Sequence, residues 1–131
     1  MAGKERTIPA PLTNPETEPF WAAAREGRFL VRTCTACNKT HWYPRAVCPF
    51  CADDRTEWRE GSGRGTIYSL SVMKRAPEPY AIAYVTLEEG PTMMTNIVDC
   101  DLDGLRIGQQ VRVTFRPTAG DGPPYPVFRP A

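Results

Sequence analysis

The chain has 131 residues, 41% of them apolar and 24% charged, a composition that fits one ordinary folded domain or two very small ones and excludes disorder. Sixteen basic residues face fifteen acidic ones, and the balance is local: five against four in 1–33, four against four in 34–60, seven against seven in 61–131. No segment carries the basic excess of a nucleic-acid surface, and no apolar run reaches the length of a signal-peptide core or a membrane span, so the expectation is a cytoplasmic protein with neither partner.

The first sixteen residues are polar and hold Pro9, Pro11 and Pro15, which predicts an extended arm over 1–16. Thr17 is a candidate N-cap for a short helix in "EPFWAAAREG". Glu18 sits at its positive end, Pro19 falls in the first turn where a missing N–H costs little, and Gly27 is a typical stop. Phe20, Trp21 and Ala24 share one face. A helix this short does not hold in water by itself, so that face must dock.

"RFLVRT" (28–33) predicts a strand into a first cysteine pair, and "TEWRE" (56–60) a strand leaving a second. Residues 17–60 are thus expected to form a helix and a cysteine ribbon. Gly61, Gly63 and Gly65 mark the boundary to an all-β segment, 61–131. There "TIYSLSVM" (66–73) places Tyr68, Leu70 and Val72 on one face, and "YAIAYVTL" (80–87) is apolar on both, as in a strand covered on each side. "PTMMTNIV" (91–98), the alternating "QVRVTFR" (110–116) with Val111, Val113 and Phe115 inward, and "YPVF" (125–128) complete five short strands. Turn signals between them suit a small closed barrel of the OB type, with an open five-stranded sheet as the alternative.

The strongest chemical signal is the pair of knuckles Cys34-x-x-Cys37 and Cys48-x-x-Cys51, ten residues apart. A two-residue spacer lets both thiolates of a pair face one ion, and two pairs complete a tetrahedral four-sulfur shell. Four protein ligands leave no open coordination position, so the expected metal is structural rather than catalytic. Zinc is the first choice; iron in a rubredoxin-like site would use the same ligands. A ribbon of this size buries too little apolar surface to fold unaided, and the metal makes up the deficit.

Between the knuckles lie His41, Trp42, Tyr43, Pro44 and Arg45, with Phe50 inside the second knuckle. Such rings can cover the ribbon's own strands or pack on the barrel. They can also form a protein interface, because Trp, Tyr and Arg dominate binding hot spots. Phe20, Trp21, Trp42, Tyr43, Arg45 and Phe50 are the candidate partner-facing residues. His41, the single histidine, and Cys100, the cysteine outside the knuckles, lack a motif that would make them a nucleophile pair. "DLDG" (101–104) lacks the acidic spacing of a calcium loop, and "GSGRG" and "AGDGPP" match no phosphate loop.

Taken together, the "PFW" helix, the double CxxC ribbon with its "YPR" loop, "GRGTIYSLSV", "EGPTMMTNIVDCD", "LRIGQQVRVTF" and "PVFRP" resemble the thiolase-associated family of rubredoxin-like zinc-ribbon plus OB-fold proteins. The resemblance spans residues 17 to 130. It implies a non-catalytic accessory subunit that docks on a thiolase-like enzyme, as a hetero-oligomer, and helps to form or bridge an acyl-CoA site. By the same resemblance Cys34, Cys37, Cys48 and Cys51 match the metal ligands, Trp42 to Arg45 the inter-knuckle loop, and Asn96 to Asp101 a barrel-strand signature. The connection "KRAPEP" (74–79) is shorter than in many relatives, which counts against CoA binding by this chain alone. Charge alone marks Arg45, Arg64, Lys74 and Arg75 as candidates for a phosphate-bearing ligand. The competing reading is a single-stranded nucleic-acid binder with Tyr68, Tyr84 and Phe115 stacking bases, which the even charge opposes.

Overall fold

A computed structural model describes residues 8–131; the expected arm over 1–16 therefore lies in part outside the described residues. From Ile8 to Asn14 the chain forms neither helix nor strand. It is tied down at two places: the Ala119 N–H donates to the Ile8 carbonyl at 2.7 Å, and the Ala46 N–H donates to Glu16 Oε2 at 2.9 Å.

Helix α1 covers Glu18–Arg25. Thr17 precedes it, but its hydroxyl makes no cap; Thr17 is buried and bonds back to Asn14 instead. Beyond the helix Gly27 adopts φ 76°, and the Arg28 N–H closes the end on the Ala23 carbonyl at 2.9 Å. The ribbon follows as β1 (Leu30–Cys34), β2 (Thr40–His41) and β3 (Thr56–Glu60), in the antiparallel order β2-β1-β3. The two-residue strand β2 is too short to show a period in the sequence.

The remaining strands are β4 (Arg64–Met73), β5 (Tyr80–Leu87), β6 (Thr92–Ile97), β7 (Gln110–Arg116) and β8 (Tyr125–Pro130). They close a barrel in the order β4-β5-β6-β8-β7, the five-stranded OB arrangement. Closure explains two departures from the sequence reading. A bulge between Ile67 and Ser69 leaves Tyr68 out of the ladder. The inward set is therefore Ile67, Leu70 and Val72, while Tyr68 turns to solvent at 69% exposure. Strand β5 buries Ala81, Ala83, Val85 and Leu87, yet its other face is the barrel exterior and exposes Tyr84; it is covered on one side only.

One apolar cluster joins all three parts. Phe20 and Ala23 of α1, Phe29, Leu30 and Val31 of the ribbon, and Ile67, Val85, Ile97 and Phe128 of the barrel belong to it. Ring contacts run through it, with Phe29 5.9 Å from Phe20, 5.5 Å from Trp42 and 6.4 Å from Phe128. The ribbon and barrel meet at a close turn. Gly63 has φ 76°, and a Cβ there would lie 2.6 Å from Val113 Cγ1, so only glycine fits. No helix among the described residues is long and apolar enough to cross a membrane.

Candidate metal centre and inter-knuckle loop

Cys34 ends β1 and Cys37 follows in the turn to β2, while Cys48 and Cys51 lie in the loop that leads to β3. The two knuckles repeat one backbone pattern. In the first, the Asn38 N–H donates to the Cys34 carbonyl and the Cys34 N–H to the Lys39 carbonyl, at 2.8 and 3.0 Å. In the second, Ala52 donates to Cys48 and Cys48 to Asp53, at 2.9 and 2.8 Å. The residue after each pair turns left-handed, with φ 60° at Asn38 and 63° at Ala52.

These turns bring the four sulfurs within 4.8 Å of one another. Cys34 and Cys51 are 3.7 Å apart, as are Cys37 and Cys48. A tetrahedral shell with metal–sulfur bonds of about 2.3 Å requires sulfur–sulfur edges of about 3.8 Å, so this donor set fits a tetrahedral ion. The acid–base behaviour of the sulfurs agrees. Desolvation raises the Cys48 thiol, but the Cys51 and Phe50 N–H groups with the Cys37 and Cys51 thiols outweigh it, bringing it to about 7. At Cys51 the Asp53 N–H favours the thiolate, yet desolvation and the other sulfurs push the thiol up to about 12. Crowded thiolates repel one another, and a cation removes that repulsion.

Asparagine tolerates the left-handed region; alanine pays for it through its Cβ. Ala52→Gly is therefore expected to stabilise the metal-loaded chain by about 0.5–1 kcal/mol, read as a raised melting temperature.

The loop between the knuckles is fastened by three side chains. His41 is buried, and its Nε2 lies 3.3 Å from the Arg45 N–H and 3.2 Å from the Arg45 carbonyl oxygen. Burial pushes His41 below its ordinary pKa; the Arg45 backbone contact opposes this, and the charges of Arg32 and Arg45 add to it. Glu16 accepts from the Ala46 N–H, and the Thr56 hydroxyl donates to the Ala46 carbonyl at 2.7 Å. Pro44, within the loop, is buried.

The six candidate partner-facing residues divide. Phe20, 1% exposed, belongs to the core and offers nothing to a partner; its position on the docking face of α1 is the reason. Trp21 and Trp42 are half-buried, with Phe20 5.0 Å from the first ring and 5.3 Å from the second. Tyr43, Arg45 and Phe50 stand in solvent, and Lys39 caps the Phe50 ring at 5.1 Å. Val47, between Tyr43 and Phe50 in the chain, is a further exposed apolar side chain of the ribbon; an isolated valine in a loop gives no signal in sequence.

The four phosphate candidates do not converge. Arg45 is on the ribbon loop, Arg64 opens β4, and Lys74 and Arg75 follow its far end, on the order of 30 Å of strand away. Lys74 is already paired with Asp103 at 3.0 Å. Nor does the structure unite His41 with Cys100. The histidine faces the Arg45 backbone in the ribbon, whereas Cys100 lines a groove of about 900 Å³ at the barrel seam. Burial, with the charges of Asp101 and Asp99, pushes the Cys100 thiol up, the opposite of an activated nucleophile. The groove forms where parallel β6 and β8 share the register pair Ile97 and Phe128; Tyr80, Asn96, Arg116 and Tyr125 line it with Cys100. Asn96 donates to the Ala81 carbonyl at 3.0 Å, and Arg116 pairs with Asp99. Residues from five separate segments, Ile8 of the arm among them, meet there, which no local pattern announces.

Both halves of this fold have counterparts. Residues 21–57 match the ChsH2 rubredoxin-like zinc ribbon domain, and residues 58–116 match the ChsH2 C-terminal OB-fold domain. A DUF35 domain-containing scaffold protein of Methanocaldococcus jannaschii is 36% identical over 111 residues, 78% of each chain. A probable enoyl-CoA hydratase alpha subunit of Thermomonospora curvata is 32% identical over 128 residues; these are 94% of this chain, which spans only 40% of that relative. Among solved structures, a chain of the Ltp2-ChsH2(DUF35) aldolase superposes with a TM-score of 0.80 at 31% identity, over 92% of this chain and 98% of that one. A DUF35 protein of unknown function from Sulfolobus solfataricus shares the fold at TM-score 0.66 and 12% identity, over 91% and 87%. With the cysteine-braced ribbon and the five-stranded barrel matched in order, this chain belongs to the DUF35 family of rubredoxin-like zinc-ribbon plus OB-fold proteins of ChsH2 type.

Proposed function

We propose that this chain is a non-catalytic scaffold subunit, holding one zinc ion through Cys34, Cys37, Cys48 and Cys51, that docks on a thiolase-like enzyme of acyl-CoA chemistry in the cytoplasm. The observation that carries the reading is the ribbon's exposed apolar side chains: a loop pinned by His41, Glu16 and Thr56 between the two knuckles leaves Tyr43 and Val47 in solvent, at 41 and 49% exposure, and the second knuckle leaves Phe50 there at 58%. A rigid apolar surface loses little entropy on binding, and rings are the usual anchors of interfaces. The names of the relatives support it: scaffold proteins, and a chain of an Ltp2-ChsH2(DUF35) aldolase. In this reading the partner supplies the catalytic groups, the zinc serves only to hold the ribbon, and acyl-CoA lies at the shared interface with Arg45 beside it.

The test is native co-purification at physiological salt with mass spectrometry and metal analysis on one sample. A thiolase-like protein recovered with the chain, and one zinc per chain, is the expected result; its absence counts strongly against the reading. Tyr43→Asp combined with Phe50→Asp is expected to weaken that association about a hundredfold or more while leaving the melting temperature within a few degrees. An unchanged affinity would remove these side chains from the interface.

A further inference from the structure

The barrel carries a row of like charges that its own stability does not explain. Arg64 of β4 stands opposite Arg112 of β7, and Arg112 stands opposite Arg129 of β8. Register partners share a face, and Arg112 alternates with buried Val111, so all three side chains leave the barrel on its outer side. Neighbouring Cβ atoms in such a row are about 5 Å apart, and like charges placed directly opposite destabilise a sheet. Among the described residues none of the three makes an ion pair, although six other basic–acidic pairs form elsewhere. Glu88 lies next in the row beyond Arg64, its N–H donating to the Arg64 carbonyl at 3.0 Å; its side chain is exposed and forms no ion pair with Arg64. Arg129 is half-buried, and its Nε–H is shut off from water with no acceptor among the described residues. A row of unpaired like charges that costs stability marks a place kept for a ligand.

We propose that the Arg64–Arg112–Arg129 row is a docking surface for a cluster of carboxylates on a partner protein. This rests on the scaffold reading above. Guanidinium forks take carboxylates in two parallel N–H to oxygen bonds, and a row of three spans about 10 Å, the reach of a few acidic side chains on one protein surface. A bound carboxylate takes the outward N–H groups of these guanidinium forks, and its charge cancels the repulsion between neighbouring arginines. The barrel thereby adds a charged contact to the apolar one on the ribbon.

The experiment uses the full metal-loaded chain and a fluorescently labelled polyglutamate peptide, followed by anisotropy at low salt. The peptide is expected to bind, and Arg112→Glu to weaken it about tenfold or more. Arg112→Gln is expected to weaken binding and, at the same time, to raise the melting temperature of the free chain by about 2 °C, because it removes repulsion on both sides. A residue with a purely structural role would lower that temperature. Equal peptide affinity in the wild type and both variants overturns the proposal, as does tighter, Arg112-dependent binding of tripolyphosphate or single-stranded oligonucleotide. Loss of the peptide site with the thiolase-like protein still co-purifying would remove the arginine row alone. Peptide binding without any co-purifying thiolase-like protein would spare the row and overturn the scaffold reading.

Discussion

Replacing any one of Cys34, Cys37, Cys48 or Cys51 by serine is expected to abolish stoichiometric metal binding and to unfold the ribbon, with the barrel losing stability in turn. The sulfur cage supplies what the ribbon lacks: its sheet has three strands, one only two residues long, and its loops contain exposed Tyr43, Val47 and Phe50. Structural zinc contributes apparent binding free energies of about 10–16 kcal/mol at neutral pH, as much as the whole stability of a domain, about 5–15 kcal/mol. The loss will not stay local, because Phe29, Leu30 and Val31 belong to the same apolar cluster as Ile67, Val85 and Phe128. Metal analysis should read one ion per wild-type chain and none in the variants. Circular dichroism in the near ultraviolet, which reports the packing of Trp21, Trp42 and Trp58, should collapse in them and in chelator-treated wild type alike. Native tryptophan packing in a metal-free chain would refute this account of the ribbon.

Phe29→Ala is expected to be the most damaging single change outside the knuckles, at about 3–5 kcal/mol. Phe29 is 3% exposed and sits where three parts meet: its ring stacks on Trp42 at 26° between planes and meets Phe20 and Phe128 edge-on. Removing it empties the joint between helix, ribbon and barrel at once. The surrounding backbone cannot close the space, because the Phe29 carbonyl is itself held by the Gly61 N–H at 2.7 Å. Chemical denaturation should show a single transition moved to lower denaturant with no metal lost. Two separated transitions would mean instead that ribbon and barrel melt independently once uncoupled. Phe29→Leu should recover most of the loss, since volume rather than aromaticity fills the joint.

The ribbon loop and the arginine row invite comparison as surfaces. At the loop, the rings split between core and solvent according to which neighbour each could reach: Trp42 falls on Phe29 and Phe20, whereas Tyr43, one residue on, points away. Along the row, no single arginine is unusual in the sequence; only the register of β4, β7 and β8 places them side by side.

Local chemistry was sufficient for much of this protein. The spacing of Cys34, Cys37, Cys48 and Cys51 predicted that four sulfurs would gather at one point, because a two-residue spacer lets both thiols of a pair face the same way, and the position of Gly27 ended α1 where a left-handed residue was needed. The strand at 56–60 and the alternation of Val111, Val113 and Phe115 were equally readable, since a period of two is a property of neighbouring residues. What required the folded chain is everything set by contacts between distant segments. The bulge that turns Tyr68 outward, the open outer face of β5, the burial of Phe20, the groove where β6 meets β8 and the alignment of Arg64, Arg112 and Arg129 all follow from barrel closure and from docking of the ribbon on it. Register between strands far apart in sequence is decided by the total packing of the barrel interior, and that sum over many weak contacts is written in no single stretch of residues.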